Sequence, residues 1–154
     1  MNRENLYRGK RKDNGEWVEG SLQKHTTIFA DGEKRHDYHI VAIEVGADCY
    51  ECDSDMPYET TYTQVVDEAV RYDTICEHLG STDINKKKLF EGDIVRAFLT
   101  YKPEQECIGV IEYDTGNACY MIRTVRGSYL DFNKFYRHEV IGNKWDNPEL
   151  LKTA

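Results

Sequence analysis

The chain has 154 residues and a formal charge of −8, because twenty lysines and arginines stand against twenty-eight aspartates and glutamates. That balance argues against general DNA binding, in which affinity comes mainly from neutralising backbone phosphates. Hydrophobic and charged contents of 40% and 31% are those of a globular protein rather than a disordered tail.

The sequence also indicates the cellular compartment of the protein. It shows no long apolar run and no secretory segment near Met1, so we expect a cytoplasmic protein with no membrane partner. Its five cysteines are an odd number and do not form the even framework of a small secreted scaffold. We therefore expect reduced thiols.

The N-terminal part of the chain predicts β-strands. A short strand over residues 6–10 and a second over residues 16–22 flank Asn14-Gly15, a dipeptide typical of hairpin turns. A further strand is predicted from Tyr38 to Val45, where Gly46 is expected to end it.

The next two segments are harder to interpret. Residues 48–61 are acidic and rich in turn formers, which predicts an excursion loop. Over residues 62–75, Val65, Val66, Ala69 and Val70 have helical spacing, but the density of threonine, valine and tyrosine favours strands. We predict two strands here, with a turn near Asp67-Glu68.

The clearest signal in the chain is the turn and strand over residues 88–96. Gly92 can adopt backbone angles closed to other residues, Asp93 can hydrogen-bond back into the turn, and Ile94 and Val95 suit a pleated surface. A turn-rich connection over residues 79–85 precedes it. Five short strands joined by tight turns are predicted after it, over residues 94–101, 107–113, 119–125, 129–132 and 139–141.

These elements predict an all-β protein with two subdomains. Residues 1–80 would form an N-terminal β subdomain, and residues 81–154 would form a small closed or sandwiched barrel. In the tail, Asn147-Pro148 breaks regular structure and Leu150-Leu151 can dock on the barrel.

Several segments in this order carry a family resemblance. They are Tyr7-Arg8-Gly9-Lys10 with Trp17, Thr74-Ile75-Cys76, Leu79-Gly80, Phe90-Glu91-Gly92-Asp93-Ile94-Val95, Val140-Ile141-Gly142-Asn143 and Asn147-Pro148-Glu149-Leu150-Leu151. With them the chain resembles the YopX family of phage and prophage proteins over nearly its whole length. The resemblance implies an all-β fold with an N-terminal β subdomain and an SH3-like C-terminal barrel, encoded in a phage or integrated element, and it implies no activity. Together with the absence of a secretory segment, it leads us to expect the protein in the cytoplasm of a bacterial host cell.

One segment departs from that family pattern. Where many members carry Gly-Gln-Tyr-Thr-Gly before the boundary turn, this chain has Cys76-Glu77-His78-Leu79-Gly80. A partner contact made by that segment in relatives would be altered here.

Metal binding is one candidate function. Cys49 and Cys52 are spaced so that two thiolates could hold one side of a zinc ion, and His36 and His39 lie shortly upstream. The order of these ligands differs from the usual paired knuckles. The alternatives are a redox pair, which the surrounding carboxylates disfavour, and incidental thiols in an acidic loop, which is our preferred interpretation.

Catalysis is not indicated. Cys76 and His78 would share one face of a strand, but a nucleophile needs a base that a third group orients, and packing explains the pair equally well. Glu91 and Asp93 are interpreted as turn residues. We therefore predict a protein that is not an enzyme, with no catalytic, cofactor-binding or metal residue and no cofactor.

Two binding functions remain. Eleven tyrosines are present, and the predicted barrel carries Tyr101, Tyr113, Tyr120, Tyr129 and Tyr136. Aromatic surfaces on small barrels bind peptides or stack on single-stranded nucleic acid, although tyrosines can also simply fill the barrel wall.

The leading hypothesis is a phage accessory protein that binds a protein of the host or the phage. The alternative is a sequence-tolerant binder of single-stranded nucleic acid that uses Lys86-Lys87-Lys88 at the rim, and the acidic charge disfavours it. Both this basic run and the one over residues 8–12 are expected to be solvated surface. Exposed strand edges would also permit a homo-oligomer.

Overall fold

A computed structural model describes the main chain of residues 6–50 and 58–152, and the side chains of residues 6–42 and 65–152. The strands are β1 (Tyr7–Lys10), β2 (Trp17–Ile28), β3 (Lys34–Tyr50), β4 (Tyr58–Val70), β5 (Cys76–Thr82), β6 (Lys88–Phe90), β7 (Asp93–Leu99), β8 (Lys102–Asp114), β9 (Cys119–Thr124), β10 (Tyr129–Asp131) and β11 (Phe135–Asn143), and the 3-10 helices are Tyr72–Thr74, Phe132–Lys134 and Pro148–Leu151. The described ranges contain no α-helix, which confirms the predicted all-β class. No helix in them is long and apolar enough to cross a membrane.

The chain divides into two compact units between Ile75 and Cys76. We call residues 6–75 the N-terminal unit and residues 76–152 the C-terminal unit. As independent domains, residues 1–80 and 81–154 stay a prediction.

In the N-terminal unit, four antiparallel strands pair in the order β4-β3-β2-β1. Side chains alternate between the two faces of such a sheet, and one face holds the fully buried Ile40 and Val70. The opposite face carries polar side chains such as His25, His39 and Asp67, together with the exposed Val65. The predicted hairpin over residues 6–22 is confirmed, although β2 continues as far as Ile28.

The strands β3 and β4 correct three predictions. Gly46 does not end its strand, because its main chain continues the ladder opposite Tyr62 and needs no side chain to do so. Likewise β4 passes through Asp67 and Glu68 without a turn, since both residues pair with β3. The predicted loop over residues 48–61 is strand at both ends, and residues 51–57 lie outside the described chain.

The C-terminal unit contains the hairpin β5–β6 and a five-stranded antiparallel sheet in the order β10-β9-β8-β7-β11. All five strands predicted after residue 93 are present, with shifted ends. In the described chain, the sheet stays open between β10 and β11, so closure into a barrel is not confirmed. The turn-rich connection predicted over residues 79–85 is wrong in part, because β5 extends to Thr82.

One core cluster of this unit lies on one face of the sheet, and Ile94 and Val110 are fully buried on the other. Seven residues form a cluster of buried side chains: Leu89, Val95, Ala97, Leu99, Ile111, Ile122 and Phe135. β6, β7, β8 and β9 and the start of β11 each contribute to it. Removing large side chains from such a cluster commonly costs about 2–5 kcal/mol each.

The turn between β6 and β7 contacts three other parts of the unit. Glu91 N–H donates to Glu77 C=O at 3.0 Å, and Gly92 N–H donates to Ile111 C=O at 2.8 Å. Lys144 N–H donates to Gly92 C=O at 2.9 Å. Asp93 is 1% exposed, and its carboxylate accepts the Phe90 N–H at 2.9 Å, as the sequence predicted for a turn residue.

A second buried carboxylate fixes the β5–β6 turn to β11. Asp83 is 6% exposed, and it accepts N–H groups from Asn85 at 2.8 Å, Lys87 at 2.9 Å and Val140 at 3.0 Å. Burial alone would raise the pKa of Asp83, but these three donors outweigh it and hold the pKa below its ordinary value. The carboxylate therefore stays ionised and bound.

Gly92 supports a stability prediction with a matched control. Gly92 and Gly127 have φ values of +84° and +83°, but a Cβ at Gly92 would lie 2.4 Å from the Trp145 ring, whereas a Cβ at Gly127 would meet nothing within 4 Å. Gly127→Ala should cost about 1–2 kcal/mol of left-handed backbone strain. Gly92→Ala should cost a further ~1–3 kcal/mol from the steric clash. Chemical denaturation of both variants measures the difference, and equal losses would contradict this explanation.

His138 supports a prediction about pH. Its half-buried ring stacks on Phe132 with centroids 4.2 Å apart, and burial lowers its pKa below the ordinary 6.5, partly offset by a main-chain hydrogen bond at Phe132. The unfolded chain therefore binds this proton more readily, so stability is full above about pH 6.5 and falls as the pH drops toward the lower folded pKa.

In His138→Phe, the melting temperature should fall less steeply between pH 7.5 and pH 5.5 than in the wild type. His36→Phe controls for the loss of a histidine, since that ring is exposed. An unchanged slope in His138→Phe would show that the ring is not the group responsible.

Candidate functional site

A groove of 520 Å³ lies where β7 turns into β8. Its floor is apolar: Leu99 is 4% exposed, and the half-buried Cys107 and Leu130 pack against the core cluster. Its rim is polar and includes Lys102 and Arg126. An apolar floor with a few polar groups at the rim is typical of binding sites.

The groove runs beside an open strand edge. β9 ends at Thr124, and the Val125 N–H makes one more bond to Ile108 C=O at 3.1 Å. Alternate residues of a strand direct their main-chain groups to the same side, so the N–H and C=O of Glu106 also face this side, beyond the end of β9. No described strand pairs with β8 there. Such an edge can accept an added strand.

The cysteine in the groove is a packing residue. Burial raises the pKa of the Cys107 thiol above its ordinary value, and the nearby Arg126 opposes this only in part. A thiol with a raised pKa is a poor nucleophile at neutral pH. Cys107 is therefore not an activated nucleophile, and its side chain packs against the core cluster.

The comparisons with known proteins concern the whole chain. A family model described as YopX protein matches residues 6–152. The chain belongs to the YopX family. This confirms the resemblance identified from the sequence motifs. Among curated proteins, no match was found.

The two sharpest YopX motifs of this chain meet in the structure. Gly92 of the Glu-Gly-Asp turn lies against Trp145, which stands inside the tail motif, between Asn143 and Asn147. Within the tail, the side-chain oxygen of Asn143 accepts the N–H of Trp145 at 3.1 Å and that of Asp146 at 2.9 Å. Asn147 N–H donates to Asn143 C=O at 2.9 Å. The residues of the two motifs therefore hold the β6–β7 turn against the segment that follows β11.

The proposed zinc ligands are only partly described. His36 and His39 lie on opposite faces of β3, because their positions differ by an odd number. His36 contacts the Thr26 hydroxyl at 3.0 Å, whereas His39 contacts Asp67 at 2.6 Å. The two histidines are therefore not brought to one face. The Cys49 side chain and the whole of Cys52 lie outside the described residues.

The candidate catalytic residues have structural partners. Cys76 is buried in β5. The His78 ring packs against Phe90 with centroids 5.2 Å apart, and one of its nitrogens lies 3.2 Å from the Ser81 carbonyl oxygen. These contacts match the packing interpretation of the pair. The segment that departs from the family pattern is thus strand β5.

The basic run over residues 8–12 is not simply solvated, which corrects the expectation. Arg8 is 8% exposed and its guanidinium lies over the Trp17 ring, 4.7 Å from the centroid. Arg11 pairs with Glu68 at 3.1 Å. Both cations therefore contact other side chains of the N-terminal unit.

The tyrosines of the C-terminal unit do not form one surface. Tyr101 lines the groove, whereas Tyr113 and Tyr120 line a separate pocket of 480 Å³. Two carboxylates, Glu77 and Glu91, line that second pocket, and its described lining includes no cation. Phosphate groups would be repelled there.

Sequence reasoning named Tyr101 of the groove but missed its apolar floor. Leu99, Cys107 and Leu130 belong to three strands, and each alone has the pattern of an ordinary core residue. The nearest signal in the sequence is the end of the strand predicted over residues 119–125. Only the pairing register shows that β8 extends beyond this end of β9.

Proposed function

We propose that this YopX-family protein is a non-enzymatic protein-binding module that recognises an extended segment of a host or phage factor. The observation that supports it best is the groove over Leu99, Cys107 and Leu130 beside the open edge of β8. Main-chain hydrogen bonds to the edge would supply affinity, and the apolar floor would supply selectivity.

The chemistry of the groove suggests the type of segment. An added strand presents every second side chain to the same face, so one large apolar residue would fill the floor while its neighbours point away. The rim carries both charge signs, with Lys102 and Arg126 against Glu106. Glu106 also pairs with Arg96 at 3.4 Å, so the cations Lys102 and Arg126 are left to favour an acidic residue in the bound segment.

We further propose that the C-terminal unit has an SH3-like arrangement without full closure. The support is its strand order, in which the last strand β11 returns beside the first strand β7, and the 3-10 helix Phe132–Lys134 just before β11. The setting we propose is the cytoplasm of a bacterial cell that carries the phage or prophage.

Binding of single-stranded nucleic acid stays an alternative prediction. Lys86, Lys87 and Lys88 are exposed, but the acidic pocket at Tyr113 and Tyr120 does not support a continuous stacking surface. Fluorescence anisotropy with a labelled oligonucleotide at low salt tests it, and a flat titration would remove it.

The groove can be tested with peptides selected from a random twelve-residue library against the full chain. Ser128→Tyr places a ring on the exposed rim, so we expect it to weaken peptide binding by at least ~10-fold, the loss of about 1.4 kcal/mol. Leu130→Glu, which changes the floor, should have a larger effect. Anisotropy of the labelled peptide measures both.

Tyr113→Glu in the second pocket is the matched control and should bind as the wild type does. Hydrogen exchange adds an independent readout, because a bound peptide should protect the Glu106 amide. Selected peptides that bind Ser128→Tyr normally and leave the Glu106 amide unprotected would refute the groove as the binding site.

A further inference from the structure

The polar face of the N-terminal sheet brings together two imidazoles and a carboxylate. His25 is on β2, His39 is on β3 and Asp67 is on β4. His39 lies opposite Gln23 and Ala69, so His25 and Asp67 are its diagonal neighbours, two positions away on either side. Diagonal neighbours on one face are within reach of long side chains.

The side chains are already close to one another. One ring nitrogen of each histidine and one carboxylate oxygen of Asp67 all lie within 4.8 Å of each other. The two imidazole rings have centroids 4.3 Å apart, and His39 Nδ1 lies 2.6 Å from an Asp67 oxygen. Three separate strands therefore converge on one point.

This geometry is close to that of a metal site. Zinc binds imidazole nitrogen at about 2.0–2.1 Å and carboxylate oxygen at about 2.0–2.2 Å, so its tetrahedral ligands lie about 3.4 Å apart. On metal binding, the distance between His39 Nδ1 and the Asp67 oxygen would lengthen by less than ~1 Å from 2.6 Å. A rotation of the exposed His25 side chain would bring its ring nitrogen closer to both. Imidazole combined with carboxylate suits zinc and its neighbours in the first transition row.

A neighbouring carboxylate, that of Asp37, already forms ion pairs. Asp37 lies directly opposite His25, but its oxygens pair with Lys12 at 3.3 Å and with Arg35 at 3.8 Å. Asp67 is therefore the carboxylate that faces the two rings. Because His25 and Asp67 are exposed, water would complete the coordination of a bound ion.

We propose that His25, His39 and Asp67 bind a divalent transition-metal cation of the zinc class. The site differs from the Cys49 and Cys52 clasp considered from the sequence, and it excludes His36, which lies on the other face of β3. A bound ion would cross-link β2, β3 and β4 on their polar face. It does not depend on the peptide groove.

The test is calorimetric titration of chelator-treated full-length protein with Zn²⁺. We expect about one ion per chain, and His25→Ala, His39→Ala or Asp67→Asn should each weaken binding by ~100-fold, since even the loss of an outer-shell partner costs 10–100-fold. His36→Ala is the matched control and should bind zinc as the wild type does. Thermal unfolding in chelator should be similar for all variants, because His25 and Asp67 are exposed and His39 is half-buried.

Co²⁺ adds a spectroscopic readout. Coordination by nitrogen and oxygen gives no thiolate charge-transfer band, and a Cys49→Ser, Cys52→Ser double variant should bind as the wild type does. Failure to bind Zn²⁺ at 100 times the protein concentration would overturn the proposal, as would equal loss in His36→Ala. A thiolate band, or loss only in the cysteine variant, would assign the metal to the cysteines instead.

Discussion

The three-residue turn Glu91-Gly92-Asp93 is the constraint on which the C-terminal unit depends. Its main chain bonds to Glu77 on β5, to Ile111 on β8 and to Lys144 before the tail, while Asp93 closes the turn itself. Because Trp145 covers Gly92, only a residue without a side chain fits there. One left-handed glycine thus lets a hairpin, a central strand and the tail converge, which gives these motif residues a structural role.

The sequence predicted the C-terminal strands well because short apolar runs alternate there with obvious turns, such as Asp114 to Asn117. It failed over β3 and β4 for a physical reason. Gly46 and Asp67-Glu68 look like local stop signals, but a long two-stranded ladder satisfies main-chain groups whatever the side chains are. Barrel closure could not be predicted either, since it depends on whether distant edges pair and not on strand content.

The candidate sites illustrate the same limit. His25, His39 and Asp67 are separated by as many as 42 positions and share no recognisable spacing, so only the register of three strands places them together. Cys49 and Cys52 could be suggested as ligands from the sequence because they lie only three positions apart. A ligand set assembled across a sheet leaves no such local pattern, and the same holds for the floor of the groove.

The open edge of β8 also affects how the protein behaves at high concentration. An edge that accepts a partner's strand can equally accept a strand of another copy and so begin ordered aggregation. Here the exposed stretch contains Pro103, which offers no N–H, and the charged Lys102, Glu104 and Glu106. Selectivity for a partner and resistance to self-association are therefore set by the same few residues. Engineering tighter peptide binding by removing these charges would reduce solubility.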